Sequence, residues 1–131
     1  MEKKGMKVTI LLPCYNEELA LPKVITDIRD AMNGVGYSYE IMIVDDGSTD
    51  NSVTIAENLG CRVIRRAVRR GAGASRKTGI LAAEGEIIVM LDADGTYTAA
   101  DIPKMLKFFP EYDQVNGART SEKGTLFLLR T

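Results

Sequence analysis

The chain contains no histidine and no tryptophan, and only two cysteines. Without histidine, the Ser/His and Cys/His nucleophilic arrangements are excluded, together with the commonest zinc ligand. Cys14 and Cys61 show no metal-ligand spacing, and two such thiols fit a reducing compartment, so a cytoplasmic location is expected. Long hydrophobic runs are also missing. The apolar stretch at 8–12, which follows a charged start, is too short for a membrane span or a secretory h-region. Neither sign of charge dominates: 17 basic against 18 acidic residues leave a formal net charge of −1, which gives no reason to expect a nucleic-acid partner. What remains is a chain of 131 residues, 45% hydrophobic, with no internal repeat, which is enough for one domain with a real core.

The apolar content is arranged in short runs that end in acid or glycine. Val8-Thr9-Ile10-Leu11-Leu12 predicts a first strand closed by Pro13, and Ile41-Met42-Ile43-Val44 a second closed by Asp45-Asp46-Gly47. The run 61–64 predicts a short third strand. Ile87-Ile88-Val89-Met90-Leu91 predicts a fourth that stops at Asp92-Ala93-Asp94-Gly95, and 114–118 a last one. Between them, Leu21, Val24, Ile25, Ile28, Ala31 and Met32 recur at helical spacing behind Pro22. Ser48 or Asp50 is placed to cap a second helix with Val53, Ala56 and Leu59 inward; Gly71-Ala72-Gly73-Ala74 opens a third, and Asp101 is placed to cap a fourth. Strands alternating with helices predict an α/β, Rossmann-like, mostly parallel sheet with helices on both faces, whose ligands bind beyond the carboxyl ends of the strands.

Three polar clusters fall at such ends. In an extended chain Asp92 and Asp94 point to one side with Cα atoms roughly 6.6 Å apart, so they can converge on one hard cation, Mg²⁺ or Mn²⁺. Asp45 and Asp46 can accept from a base N–H or a ribose hydroxyl, or cap the following helix. Pro13, Tyr15 and Glu17 offer a surface and an acid, although Glu17 and Glu18 also read as ordinary first-turn helix acids. The one basic concentration is Arg65, Arg66, Arg69, Arg70, Arg76 and Lys77, interrupted by the glycines at 71 and 73. Phosphate binding is the expectation for Arg76 and Lys77, and a solvated edge for the rest. The third glycine of a dinucleotide fingerprint and the G-K-[ST] of a P-loop are both absent.

Four segments taken together, LLPCYNEE at 11–18, IVDDGSTD at 43–50, GAGASRKTGILAAEGE at 71–86 and VMLDADGTY at 89–97, resemble family 2 glycosyltransferases of the GT-A fold. The similarity is nearest to polyprenyl-phosphate (dolichyl-phosphate) mannosyl or glucosyl synthases and runs from about Val8 to about Arg119. It implies transfer of a hexose, with inversion, from a nucleotide-diphospho-sugar such as GDP-mannose or UDP-glucose to an acceptor, with polyprenyl phosphate expected. Pro13, Tyr15 and Glu17 would line the base pocket, and Asp45 and Asp46 would hold base and ribose. Arg76 or Lys77 would lie near base or diphosphate, and Asp92 and Asp94 would hold Mg²⁺ or Mn²⁺ against the diphosphate. Thr96 stands where mannosyl synthases often carry a metal-contacting Gln, a difference that favours the glucosyl type.

Members of the family continue well beyond the point where this sequence stops, and that continuation supplies the acceptor half and any base carboxylate. The expected organisation is therefore a truncated nucleotide-sugar-binding subdomain at 1–119. The tail at 120–131 is expected to be disordered, to sit in a homodimer contact or to cover a sheet edge. A lipid acceptor would bring the protein to the periphery of a membrane. Two other readings are weighed. One is a non-catalytic nucleotide-sugar-binding module; the other is a nucleotidyltransferase, whose glycine-rich basic segment would be expected after the first strand, where Pro13 to Glu18 stand instead.

Overall fold

A computed structural model describes residues 7–95 and 98–107 with side chains, and the backbone of 114–118 and 125–130. Strands β1 (Lys7–Cys14), β2 (Ser38–Asp45), β3 (Arg62–Arg65), β4 (Ile87–Met90), β5 (Gln114–Ala118) and β6 (Thr125–Arg130) form one sheet in the order β3-β2-β1-β4-β6-β5. Neighbouring strands among β1 to β4 are parallel, with registers such as Ile10↔Ile41, Ile10↔Val89 and Ile43↔Val63. β6 runs antiparallel to both β4 and β5. The α/β, mostly parallel architecture expected from the strand and helix alternation is the one found.

Period-two alternation divides the core. Val8, Ile10, Leu12, Ile41, Ile43, Ile87 and Val89 face one side, packed with helices α1 (Leu21–Met32), α2 (Ser52–Asn58) and α4 (Asp101–Leu106). Leu11, Met42, Val44, Ile88 and Met90 face the other, under Ile80 and Ala82 of α3 (Ala72–Ala82). Both faces are covered, which is why these strands read as unbroken apolar runs. At the foot of the sheet Gly85 is required by contact: a Cβ there would press on the backbone of Thr9 and Lys7. Its N–H donates to Thr9 Oγ1 at 2.9 Å.

Several local expectations shift. β1 continues through Pro13 to Cys14 instead of stopping before Pro13. β4 pairs with β1 only as far as Leu11↔Met90, so β1 presents an edge at Pro13, where a sheet tolerates a residue without N–H. α2 has Asn51 at its cap, and neither Ser48 nor Asp50 occupies that position. Asp50 nevertheless serves the helix start, because its Oδ1 accepts from Ser52 N at 2.9 Å. Leu59, expected to face inward, is exposed as the residue closing α2, and its carbonyl accepts from Arg29 Nη2 at 2.6 Å. Asp101 is the first residue of α4, after Ala100 at the cap. Of the alternatives for the tail, covering a sheet edge is the one that fits the backbone of 125–130, which pairs with β4 and lies between β4 and β5. Thr96, Tyr97 and Arg119 lie outside the described residues.

Candidate donor site at the carboxyl ends of the strands

The loops following β1 and β2 are stitched into one surface. Asn16, held at φ 51°, accepts on Oδ1 from Thr49 N at 2.7 Å and Asp50 N at 3.2 Å, while its own N–H donates to Ser48 Oγ at 2.8 Å. Glu17 N donates to Ser52 Oγ at 2.9 Å and Asp46 N to the Cys14 carbonyl at 2.9 Å. Asparagine is one of the few side-chain-bearing residues that enter this left-handed region readily, and here its amide closes the turn around two neighbouring N–H groups.

Asp46 organises the opposite wall. Its buried carboxylate accepts from Arg66 Nη2 at 3.0 Å and Arg70 N at 2.8 Å on Oδ1, and from Gly71 N at 2.7 Å on Oδ2. Burial by itself would raise its pKa, but the two N–H groups and the guanidinium outweigh it and hold the group below the ordinary carboxylate value. The loop 66–71 is thereby fixed, and Gly71, at φ 96°, turns the chain into α3. Asp45, adjacent in sequence, faces elsewhere: its Oδ2 accepts from Ser48 N at 3.0 Å, and its buried Oδ1 has no partner among the described residues.

Between these walls lies a cavity of about 400 Å³ lined by Pro13, Cys14, Tyr15, Glu17, Asp46, Arg69, Gly71, Ala72, Ser75, Arg76 and Asp92 to Asp94. Of the residues expected from the sequence, Pro13, Tyr15, Glu17, Asp46, Arg76, Asp92 and Asp94 are brought together here. Asp45 and Lys77 are not in its wall, and Lys77 is exposed. Asp92 and Asp94 do not continue an extended strand. β4 ends at Met90, Ala93 is buried and Gly95 sits at φ 82°, so the two aspartates flank a turn. They still share one wall. Arg76 Nη2 reaches Asp92 Oδ1 at 3.2 Å, and burial, followed by the fields of Asp94, Asp50 and Asp92, pushes the Glu17 carboxyl above its ordinary range. Burial likewise pushes the Cys14 thiol up to about 11, which makes it an unreactive part of the floor.

Half of the six basic residues of this run are engaged internally: Arg66 with Asp46, Arg76 with Asp92, and Arg69 with the ring of Tyr15, the guanidinium carbon 3.8 Å from the ring centroid. Arg69 and Ser75 are cavity residues that the sequence reading did not single out. Arg69 was one arginine among several, and nothing in a linear pattern marks which of them reaches back over Tyr15.

Among the described residues no three His, Cys, Asp or Glu side chains form a group able to hold a metal by themselves. Two carboxylates bordering an open cavity suit Mg²⁺ or Mn²⁺ that completes its shell with ligand oxygens, as such ions do on phosphates. A second cavity, of about 810 Å³, also borders Asp92 and Asp94 and is lined by Leu19, Ala20, α1 residues that include Lys23, Asp27 and Asp30, and 98–100. It lacks Tyr15, Glu17, Asp46 and Arg76, so the smaller cavity is the one that joins the three strand-end clusters.

The sequence pattern of the family described as Glycosyl transferase family 2 matches residues 9–130. The chain belongs to glycosyl transferase family 2. Among curated relatives, it is 36% identical over 121 residues to an uncharacterised glycosyltransferase of Mycobacterium bovis, covering 92% of this chain and 52% of that protein. It is 34% identical to the undecaprenyl-phosphate 4-deoxy-4-formamido-L-arabinose transferase of Enterobacter sp., covering 95% of this chain and 40% of that one. The chain thus spans about half the length, or less, of the relatives it matches. Among solved structures, glucosyl-3-phosphoglycerate synthase of Mycobacterium tuberculosis, in complex with Mn²⁺, UDP and phosphoglyceric acid, superposes with a TM-score of 0.81 at 20% identity. That match covers 96% of this chain and 56% of that one. A mannosyltransferase from Pyrobaculum calidifontis, in complex with GDP-Man and Mn²⁺, superposes at 0.78 with 21% identity, covering 94% and 44%. These likenesses establish the fold of this family 2 chain as GT-A.

Proposed function

We propose that this chain is the donor-binding part of a metal-dependent family 2 glycosyltransferase. The whole protein moves a hexose, with inversion, from GDP-mannose or UDP-glucose to a polyprenyl phosphate. The observation that carries this reading is the single cavity wall uniting Tyr15, Glu17, Asp46, Arg76, Asp92 and Asp94 at the carboxyl ends of β1, β2 and β4. The undecaprenyl-phosphate transferase among the relatives supports a lipid-phosphate acceptor, and the Mn²⁺ complexes among the structural neighbours support a divalent ion.

In this reading Asp92 and Asp94 hold Mg²⁺ or Mn²⁺, and the ion when bound neutralises charge that develops on the departing nucleoside diphosphate. Arg76, already beside Asp92, adds fixed positive charge at the same end. Pro13, Tyr15 and Glu17 border the nucleoside. Asp46 retains one acceptor site for it, on Oδ2, beyond the three bonds it accepts, and Asp45 supports the arrangement through the Ser48 loop. Lys77, one residue beyond Arg76, contributes only long-range charge. A phosphate acceptor arrives as an anion, so it needs less help from a general base than a hydroxyl would to attack the anomeric carbon. Such an acceptor would place the reaction at a membrane surface, although no helix among the described residues is long and apolar enough to cross one.

The test is calorimetric titration of GDP-mannose, UDP-glucose, GDP and UDP, with and without Mn²⁺, into the wild-type chain and Asp94→Ala. Mn²⁺-dependent binding of one nucleotide family, lost in Asp94→Ala, is expected; no metal-dependent binding of any of the four refutes the donor site. Transfer to a polyprenyl phosphate by this chain would distinguish an enzyme from a binding module.

A further inference from the structure

Ser75 is wholly buried, stands in the wall of the 400 Å³ cavity, and its hydroxyl has no hydrogen-bond partner among the described residues. A serine inside a helix commonly returns its hydroxyl to the carbonyl one turn earlier. Here that carbonyl, on Gly71, takes the Ser75 N–H at 3.1 Å and not the hydroxyl. A buried hydroxyl with nothing to bond is unfavourable, and alanine at this helical position would remove the penalty and suit the helix better. The side chain makes sense when a ligand completes it.

Its place in the cavity indicates which part of a ligand. Ser75 precedes Arg76, which reaches Asp92, and lies one helical turn after Gly71, whose N–H is bound by Asp46. It therefore shares one cavity wall both with Asp92 and Asp94 and with Pro13, Cys14 and Asp46. In the donor-site reading, a diphosphate held at the two aspartates leaves Pro13, Cys14 and Asp46 to border the nucleoside. The cavity offers an uncharged hydroxyl there, able to donate to a ring carbonyl or nitrogen or to accept from a ring N–H by rotating its O–H about the Cβ–Oγ bond.

We propose that Ser75 is a specificity-determining contact of the donor site, its hydroxyl hydrogen-bonded to the polar edge of the nucleobase. The proposal rests on the donor-site reading above and assigns a residue that sequence pattern did not single out. Its test uses UDP and GDP with Mn²⁺, and UMP and GMP, titrated into the wild type and Ser75→Ala, alongside the melting temperature of each chain without ligand. Ser75→Ala is expected to melt no lower than the wild type while its affinity for the preferred nucleotide falls about three- to ten-fold, the worth of one neutral hydrogen bond. The monophosphate should lose the same factor as the diphosphate, because the contact is to the base. Three results would overturn the assignment: unchanged affinity in Ser75→Ala, a loss confined to the diphosphates, or a lower melting temperature without ligand, which would reveal a structural partner for the hydroxyl. Failure of the wild type to bind any of the four would remove the donor site as well, whereas wild-type binding with an unaltered variant removes Ser75 alone.

Discussion

Replacing Asp46 by Asn tests how the cavity is held in shape. The carboxylate is buried, with its side chain 5% exposed against 13% for Arg66, and it accepts from Arg66, Arg70 N and Gly71 N at 3.0, 2.8 and 2.7 Å. All three partners are donors. An asparagine can keep its oxygen toward Arg66 and Arg70, but its NH₂ then confronts the Gly71 N–H, and the guanidinium loses its counter-charge. One buried N–H left unsatisfied costs about 1–3 kcal/mol. Breaking a buried ion pair from one side costs about 3–5 kcal/mol. Because the amide oxygen retains part of the interaction, the expected destabilisation is about 3 kcal/mol, read by urea unfolding at pH 7 with an unchanged m-value. The pH dependence has a definite sign. Asp46 is held below its ordinary value of 3.8, so its contribution is complete above that value and disappears as pH falls through the lower, folded-state value. The gap between wild type and Asp46→Asn should stay constant from neutral pH downward and narrow only below about pH 4. A difference under about 0.5 kcal/mol at pH 7, the scatter expected of a surface change, would refute the view that Asp46 locks the 66–71 loop.

Other parts of the fold can be tested more briefly. Gly85→Ala should destabilise more than Gly79→Ala, because the new methyl at 85 meets the backbone of Thr9 and Lys7, whereas at 79 it meets the yielding end of Leu11. Denaturation midpoints of the two variants, compared at equal m-value, check the order. Thr9→Val removes the acceptor of Gly85 N–H at 2.9 Å and the donor to Glu40 Oε2 at 2.6 Å; a loss of about 2 kcal/mol in chemical unfolding is expected. Asn16→Gly keeps the left-handed turn but loses the amide bonds to Thr49 and Asp50, so it should cost about 1 kcal/mol and speed hydrogen exchange at those two amides, with Asn16→Ala costing more.

The parts legible in the sequence share a physical property: their structure is determined by their own residues. Two-sided burial writes β1, β2 and β4 as apolar runs, and the pattern Leu21, Val24, Ile25, Ile28, Met32 specifies α1 because each of those side chains enters the core. Chain ends at acid and glycine then point to the right end of the sheet without any knowledge of topology. The parts that shifted are those decided by a distant partner. Whether Ser48, Asp50 or Asn51 starts α2 depends on Asn16, thirty-odd residues away, taking the Thr49 and Asp50 amides first. Whether 125–130 is a loose tail or a strand depends on an edge of β4 that no local pattern around 125 reveals.

Asp45 and Asp46 show the same limit inside the site. The doublet is chemically symmetrical in sequence, and either residue could face a ligand. The parallel register sets Cys14 opposite Asp45, and the chain turns at Gly47, so Asp46 meets the 66–71 loop while Asp45 turns back to Ser48. Only the residue that captures Arg66, Arg70 and Gly71 can bring α3 against the cavity, and with it Ser75 and Arg76. The part of the basic run expected to be a solvated edge, Arg66 above all, is therefore first a structural device. Its charges position one another and the loop, and Arg76, at the far end of that arrangement beside Asp92, is the arginine of the pair expected to bind phosphate that also lies in the cavity wall.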